Sequence, residues 1–167
     1  MSFVRGMTAM IEIEEMTGPL WAFLGDRGRD SRNRSVRDIL LLSDDDLERV
    51  HDYIQWLFPL PSRSLAQPDA PVLNEREIAA IRSDATCQQH LREATERMAR
   101  FYETNHSWLV PNDHNHLRIT RIVRSLHILV DDNAARGFLQ RILILHRNAG
   151  EPVHPTNVAY WRDALND

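Results

Sequence analysis

The spacing of apolar residues along the 167-residue chain predicts a protein built from helices. The clearest stripe recurs at intervals of three or four positions after Asp84 and comprises Cys87, Leu91, Ala94, Met98 and Phe101. Such spacing places these side chains on one face of a helix. The alternation of apolar and polar residues that indicates strands is confined to fragments such as Ile11 and Ile13. We therefore predict an all-α, single-domain helical bundle over residues 1–167, with about six or seven helices of roughly 8 to 20 residues each.

Capping residues and prolines predict where these helices begin and end. Pro19 and Gly25 bracket a short apolar first helix. Ser43 and Asp46 resemble a capping box at the start of a longer helix that Pro59 ends. The apolar stripe of that helix is Leu47, Val50, Ile54 and Leu57. Further starts are predicted at Asn74, at Asp84, within residues 111–113 (Pro-Asn-Asp), at Asp132 and at Thr156.

The remaining segments differ in composition from these helices. Residues 25–38 carry five arginines among aspartates and are predicted to form a surface loop. Residues 59–71 are rich in proline and are predicted to be extended or turning. The helix that follows Asp113 is predicted to present one apolar face, made of Leu117, Ile122, Leu126 and Leu129.

Composition and charge narrow the class of protein. The formal net charge is -4 and the pI is near 6.0, so the chain as a whole lacks the basic field of a nucleic-acid-binding protein. Cys87 is the single cysteine, which excludes an intrachain disulfide and a cysteine-based zinc site. No apolar run approaches the roughly 20 residues of a membrane helix, and glutamates at positions 12, 14 and 15 interrupt any secretory core. We therefore expect a protein of the reducing cytoplasm.

All 20 basic residues counted as lysine plus arginine are arginine. Codon bias in a GC-rich genome and a requirement for the forked guanidinium group both account for this, and composition does not separate them. The absence of lysine excludes Schiff-base chemistry. The sequence also lacks the GxxxxGK, GxGxxG and GxSxG motifs, so no cofactor is predicted.

Residues 51–60, HDYIQWLFPL, place polar groups and large aromatic side chains at one predicted helix end. On a helix, His51 and Gln55 lie four positions apart and flank the apolar stripe, as the edge of a pocket would. Alternatively, Trp56 is a core residue, and His51 and Gln55 bond to neighbouring backbone groups.

Residues 114–127, HNHLRITRIVRSLH, carry Arg118, Arg121 and Arg124 three positions apart. Their guanidinium groups are predicted to form one cationic ridge beside the apolar face of a helix. Such a ridge binds carboxylate or phosphate groups through paired hydrogen bonds. Alternatively, it forms ion pairs with acidic residues of a neighbouring helix.

Two further hypotheses use the same residues differently. A metal-dependent enzyme would draw its ligands from His51, Asp52, His114 and His116, with Asp113 close in sequence, although His-x-His spacing suits a loop better than a helix. Nucleic-acid binding would use the five arginines of residues 27–37 together with the ridge, against the net acidity of the chain.

The two dense blocks, HDYIQWLFPL and HNHLRITRIVRSL, resemble the two most distinctive blocks of the opioid growth factor receptor conserved region, in the same order and with a similar gap. The resemblance extends to the lead-in FLGDRGRDSRNRSVRDIL, to the Asp-Ala-Pro and Ile pattern at 69–78, and to MARFYE at 98–103. It covers most of residues 20–145. With the lysine-free composition, it identifies the chain as a short, single-domain, microbial member of that family.

The resemblance implies a receptor-like signalling role, because animal members are named for binding a pentapeptide, methionine enkephalin, and for restraining cell proliferation. Those members carry nuclear localisation signals and C-terminal repeats, and neither feature occurs in this sequence. Our leading hypothesis is a non-enzymatic module that binds a peptide or another small anionic ligand. The predicted ligand-binding residues are His51, Tyr53, Gln55, Trp56, Asn115, Arg118 and Arg121. The ligand's carboxylate would pair with arginine, and its aromatic group would stack near Trp56. The oligomeric state is not predicted.

Overall fold

A computed structural model describes residues 17–166, and within them the chain forms nine α-helices and no strand. The all-α class predicted from the sequence is therefore confirmed, while the strand fragment at Ile11 and Ile13 lies outside the described residues. The helices are α1 Pro19–Leu24, α2 Val36–Leu40, α3 Asp44–Arg49, α4 Ile54–Leu57, α5 Glu75–Ser83, α6 Ala85–Thr104, α7 His114–Leu129, α8 Asp132–Asn148 and α9 Pro155–Asp163.

The core forms around α6, which is 20 residues long and contacts α1, α2, α5 and α8. Every residue of the stripe predicted after Asp84 is fully buried on this helix. Helix α7 contacts α8, α9 and α5. The buried residues of all these helices join one continuous apolar cluster, so the described residues share a single core.

Most predicted helix starts lie within one residue of the observed ones, because the caps are local. The side chains of Asn74, Asp84 and Asp113 each accept a backbone N–H of the helix that they precede. Asp131, not Asp132, caps α8, and α9 begins at Pro155 behind a His154 cap. Leu117 is 70% exposed, so its placement on the apolar face of α7 was wrong, and the fully buried Ile119 lies on that face instead.

The single helix predicted between Ser43 and Pro59 is interrupted after Arg49 and resumes at Ile54. The break exposes backbone carbonyls that distant side chains bind. Arg118 of α7 donates to Leu47 O at 2.8 Å and to Val50 O at 2.9 Å. The hydroxyl of Tyr53 also donates to Leu47 O, at 3.0 Å. These hydrogen bonds replace those that a continuous helix would have supplied.

Residues 25–38 form an ordered, ion-paired segment whose last part begins α2, so the prediction of a plain surface loop was wrong at its end. Ser35 and Asp38 form a capping box there. All five arginines in the segment pair with carboxylates: Arg27 with Asp84, Arg29 with Asp38, Arg32 with Asp52, Arg34 with Asp30 and Asp52, and Arg37 with Asp26. Asp30 is 6% exposed, so this segment is tied into the fold. The pairing neutralises the charge that nucleic-acid binding would have used.

Helix α1 is joined to α5 through a buried carboxylate. Glu77, which is 1% exposed, accepts the backbone N–H groups of Leu20 at 2.8 Å and Trp21 at 3.3 Å. These are N–H groups that the first turn of a helix leaves without an internal partner. Burial raises the pKa of Glu77 above its usual value. The preceding Gly18 has φ 101° and ψ 169°, a region that is essentially restricted to glycine.

None of the helices described here is long and apolar enough to cross a membrane.

The lone cysteine lies in the core, where burial raises the pKa of the Cys87 thiol to about 12. We therefore expect the folded protein at pH 8 to react with Ellman's reagent at least about 100-fold more slowly than the urea-unfolded chain. Absorbance of the released thiolate measures both rates. Rapid labelling without urea would show that the α6 stripe opens readily and would contradict this burial.

Candidate functional site

A cavity of about 480 Å³ lies between α4, α7 and the segment that follows Pro59. Its walls are largely apolar, with Ile54, Leu60, Leu65 and Leu117 among the lining residues. Six basic side chains also line it: His51, Arg63, His114, Arg118, Arg121 and Arg124. None of the described residues that line it is acidic. The cavity therefore combines apolar walls with a positive potential.

The seven predicted ligand-binding residues divide into two groups. His51, Gln55, Arg118 and Arg121 converge on this cavity, although two come from the first sequence block and two from the second. Tyr53, Trp56 and Asn115 lie outside its lining. Trp56 packs edge-on against Phe23 with ring centroids 5.4 Å apart, so it is not placed to stack on a ligand in the cavity.

Arg118 is 5% exposed and is committed to the protein itself. Besides the carbonyls of Leu47 and Val50, it contacts Asn115 Oδ1 at 3.3 Å and His51 Nδ1 at 3.1 Å. A guanidinium group has four hydrogens on its two Nη atoms, and these four acceptors use them. Arg118 therefore fixes the shape of the site and has little capacity left for a ligand.

Tyr53 and Asn115 support Arg118 from behind the cavity wall. The guanidinium carbon of Arg118 lies 5.4 Å from the ring centroid of Tyr53, within cation–π distance. Asn115 is fully buried and donates through Nδ2 to Glu48 Oε2 at 3.0 Å, while its Oδ1 faces Arg118. Both residues thus hold the arginine in place.

Arg121 is in the opposite situation. It is half-buried, and its Nη1 donates to Phe58 O at 3.2 Å. No carboxylate among residues 17–166 forms an ion pair with it. Burial lowers the pKa of Arg121 to about 10, so the group stays charged at neutral pH while it is partly desolvated. Most of its N–H donors remain available to an anion in the cavity.

Gln55 contributes an unsatisfied polar group to the same wall. It is 5% exposed, and its Oε1 is buried without a hydrogen-bond partner among the described residues. A buried amide oxygen without a partner costs about 1–3 kcal/mol.

His51 and His114 lie at the exposed edge of the cavity, with ring centroids 5.1 Å apart. Because Arg118 donates to Nδ1 of His51, the neutral ring carries its proton on Nε2. Burial, followed by the charges of Arg118 and His114, lowers the pKa of His51. His51 is therefore a neutral donor at pH 7.

The residues of the metal hypothesis do not converge on one point. Asp52 forms ion pairs with Arg32 and Arg34. His116 is buried, and its Nε2 lies 2.8 Å from Trp108 O while its Nδ1 accepts the backbone N–H of Asp113 at 3.2 Å. Both nitrogens of this ring are already used.

Two residues of the hypothesis, Asp113 and His114, do come together with Glu48, so that their ligand-type atoms lie within 4.8 Å of one another. Its carboxylates already serve the fold. Glu48 accepts a hydrogen bond from Asn115 Nδ2, and Asp113 caps α7. The cluster therefore has a structural explanation.

Part of the cavity was not foreseen from the sequence. Arg63, Ser64, Leu65 and Ala66 supply one side of it from the proline-rich segment. Leu65 is 97% exposed, and no pattern in the neighbouring sequence predicted that exposure. Arg63, the first arginine after the first dense block, was the sequence signal that this segment carries positive charge.

Within the described residues, the fold and cavity define an all-helical domain with a basic, internally braced cavity. Residues 41–108 match the family described as the opioid growth factor receptor (OGFr) conserved region. The match includes the first dense block, residues 51–60, and agrees with the resemblance drawn from the sequence, whereas the second block, residues 114–126, lies beyond it. The matched residues include α3, α4, α5 and α6 together with Arg63 and Gln55, while α7 follows them.

Three curated relatives are all opioid growth factor receptors. The rat protein (Rattus norvegicus) is 32% identical over 60% of this chain and 21% of its own length. The mouse protein (Mus musculus) is 33% identical over 60% of this chain and 19% of its own length. The human protein (Homo sapiens) is 35% identical over 48% of this chain and 14% of its own length. The chain thus matches about a fifth or less of each receptor. No match to a solved structure was found.

Proposed function

We propose that this domain is a non-enzymatic binding module that holds a peptide or another small ligand with an anionic group in the cavity between α4 and α7. The observation that carries the proposal is Arg121, a half-buried guanidinium group that faces the cavity without a carboxylate partner in the described residues. Relatives named as growth factor receptors are consistent with ligand binding as the role.

The chemistry of the walls specifies the ligand further. Arg121 offers a forked set of N–H donors, which suits a carboxylate or phosphate group. Gln55 lines the same cavity, and its amide oxygen would accept a main-chain N–H group of the ligand if the side chain turned toward the cavity. The side chains of Leu60, Leu65 and Leu117 would cover an apolar portion. A short peptide with a free C-terminal carboxylate carries all three features.

The proposal also specifies which residues make up the binding module. The cavity combines Gln55, within residues 41–108, with Arg121, beyond them. A module limited to residues 41–108 would lack the arginine wall. We therefore propose that the unit extends over residues 20–145, as the resemblance implies.

Calorimetry with a panel of short peptides tests this proposal. Each peptide is offered with a free C-terminal carboxylate and as the C-terminal amide, and inorganic phosphate and hexanoate are included. We expect at least one free-acid peptide to bind and its amide to bind about 10–100-fold more weakly, because one charge-assisted contact is worth roughly 1.5–3 kcal/mol. The Arg121→Ala variant is expected to bind the free-acid peptide more weakly than the wild type does, by the same factor.

The matched control is Arg49→Ala, which removes an arginine that is 78% exposed and pairs with Asp46 outside the cavity. This variant is expected to bind as the wild type does. Urea unfolding should show that Arg121→Ala remains folded. The proposal is wrong if no member of the panel binds the wild type, or if Arg121→Ala and Arg49→Ala bind the same peptide equally.

A further inference from the structure

A second concave surface, which shares no residue with the basic cavity, runs between α8 and α9. It consists of two adjoining depressions of about 360 Å³ each that share Leu143, Arg147 and Arg162. We refer to it as the α8/α9 groove. Leu139, Leu143 and Leu165 line one depression, and Val153 and Val158 line the other. Ile144 is 43% exposed at the edge.

The groove follows one stripe of α8. Its lining positions 136, 139, 140, 143, 144 and 147 repeat at three or four residues, which is the period of a helix face. From 136 to 147 a helix rises about 16 Å, or three turns. That length accommodates the apolar face of a partner helix of about three turns, with anchors at i, i+4 and i+7.

The charges at the edge of the groove are predominantly positive. Arg136, Arg147 and Arg162 line it, whereas Glu151, in the second depression, is the single acidic lining residue among those described. Arg136 already pairs with Asp132 of its own helix. Arg147 and Arg162 are exposed and form no ion pair with another residue of the described chain. An apolar floor between unpaired cations is complementary to an apolar helix face with acidic flanks.

We propose that the α8/α9 groove is a docking site for an amphipathic helix of a partner protein that carries acidic residues on both sides of its apolar face. The apolar face fills the space above Leu139, Leu143 and Leu165. Acidic flanking residues pair with Arg147 and Arg162. Because the groove and the basic cavity share no residue, the domain holds a small ligand and a helical partner at separate places.

Fluorescence anisotropy with a labelled synthetic peptide tests the groove. The probe is an 18-residue peptide with leucines at i, i+4, i+7 and i+11 and glutamates beside them. One control peptide has the same composition in an order that distributes the leucines around the helix. Another carries arginine in place of each glutamate. At 0.1 M salt we expect the probe to bind at least 10-fold more tightly than either control peptide. Its affinity should decrease as the salt concentration rises.

The protein variant that decides the matter reverses both free charges, Arg147→Glu with Arg162→Glu. It should bind the acidic probe at least 10-fold more weakly and the arginine peptide more tightly than the wild type does. Arg49→Glu reverses an exposed charge outside the groove and should leave the affinities for both peptides unchanged. Circular dichroism should confirm that all variants are folded.

Several outcomes overturn the proposal. These are absence of probe binding, equal binding of the reordered peptide, or an unchanged affinity in the double reversal. Self-association that the double reversal abolishes would assign the groove to a second copy of the chain, and binding to vesicles of anionic lipid in place of the peptide would assign it to a membrane surface. Arg121→Ala should leave probe binding intact, which separates failure here from failure of the cavity proposal.

Discussion

Replacing Arg118 with alanine is expected to lower the free energy of unfolding by about 3–5 kcal/mol, although sequence reasoning places this residue in a ligand site. The side chain is 5% exposed, and its N–H groups satisfy the carbonyls of Leu47 and Val50, where α3 ends. Each buried acceptor that loses its donor costs roughly 1–3 kcal/mol. Truncation also removes the cation that lies over the ring of Tyr53.

Urea unfolding measures this change, with Arg49→Ala as the control. Arg49 forms one exposed ion pair with Asp46, so its loss should cost less than about 1 kcal/mol. Arg118→Lys is informative as well, because an ammonium group cannot reach four acceptors in a fixed plane and should recover only part of the stability. An Arg118→Ala protein as stable as Arg49→Ala would mean that the break after Arg49 does not depend on the guanidinium group.

The elements that the sequence predicted well are those with local causes. The stripe from Cys87 to Phe101 specifies the buried face of α6 from its own spacing. Asn74, Asp84 and Asp113 cap helices through contacts with residues two or three positions away. Neither feature requires knowledge of the rest of the fold, so both were predictable from a short window of sequence.

The features that were missed depend on distant residues. Residues 44–57 have the apolar spacing of one helix, yet the helix is interrupted after Arg49, where Arg118 on α7 binds the freed carbonyls. Leu117 fits the helical period of α7, yet that position faces solvent near the cavity. Local periodicity contains no information about either arrangement.

The candidate site was predicted in part for a similar reason. Spacing placed His51 with Gln55 and Arg118 with Arg121, and the packing of α4 near α7 brings these two pairs to one cavity. Spacing gave no way to tell that Arg118 braces the fold while most N–H donors of Arg121 have no partner among the described residues. That distinction depends on which carbonyls lie within 3 Å of each guanidinium group, and the tertiary structure sets it.

The arginines of this lysine-free chain now fall into groups with different roles. Those of residues 27–37 are all neutralised by aspartates and tie a long segment to the fold. Arg118 requires the planar fork, because it serves acceptors on α3, α7 and the turn between α3 and α4. For Arg118, the geometry itself explains why arginine is present, independently of codon usage.

Replacing Gly18 with alanine is expected to destabilise the fold by about 2–5 kcal/mol, combining roughly 1–3 kcal/mol of backbone strain with a loss of similar size at Glu77. Gly18 has φ 101°, and an added Cβ would lie 2.5 Å from Cδ of Glu77. That carboxylate would have to move away from Leu20 and Trp21, whose N–H groups it accepts at the start of α1.

The matched control is Gly137→Ala, inside α8, where an added Cβ would meet no atom within 4 Å. This substitution should stabilise the protein by about 0.5–1 kcal/mol, because alanine has the higher helix propensity. Urea or thermal unfolding of the two variants therefore gives changes of opposite sign for the same added methyl group. If Gly18→Ala were neutral, the carboxylate of Glu77 would not be fixed against α1, and the junction of α1 with α5 would have to be held by apolar packing alone.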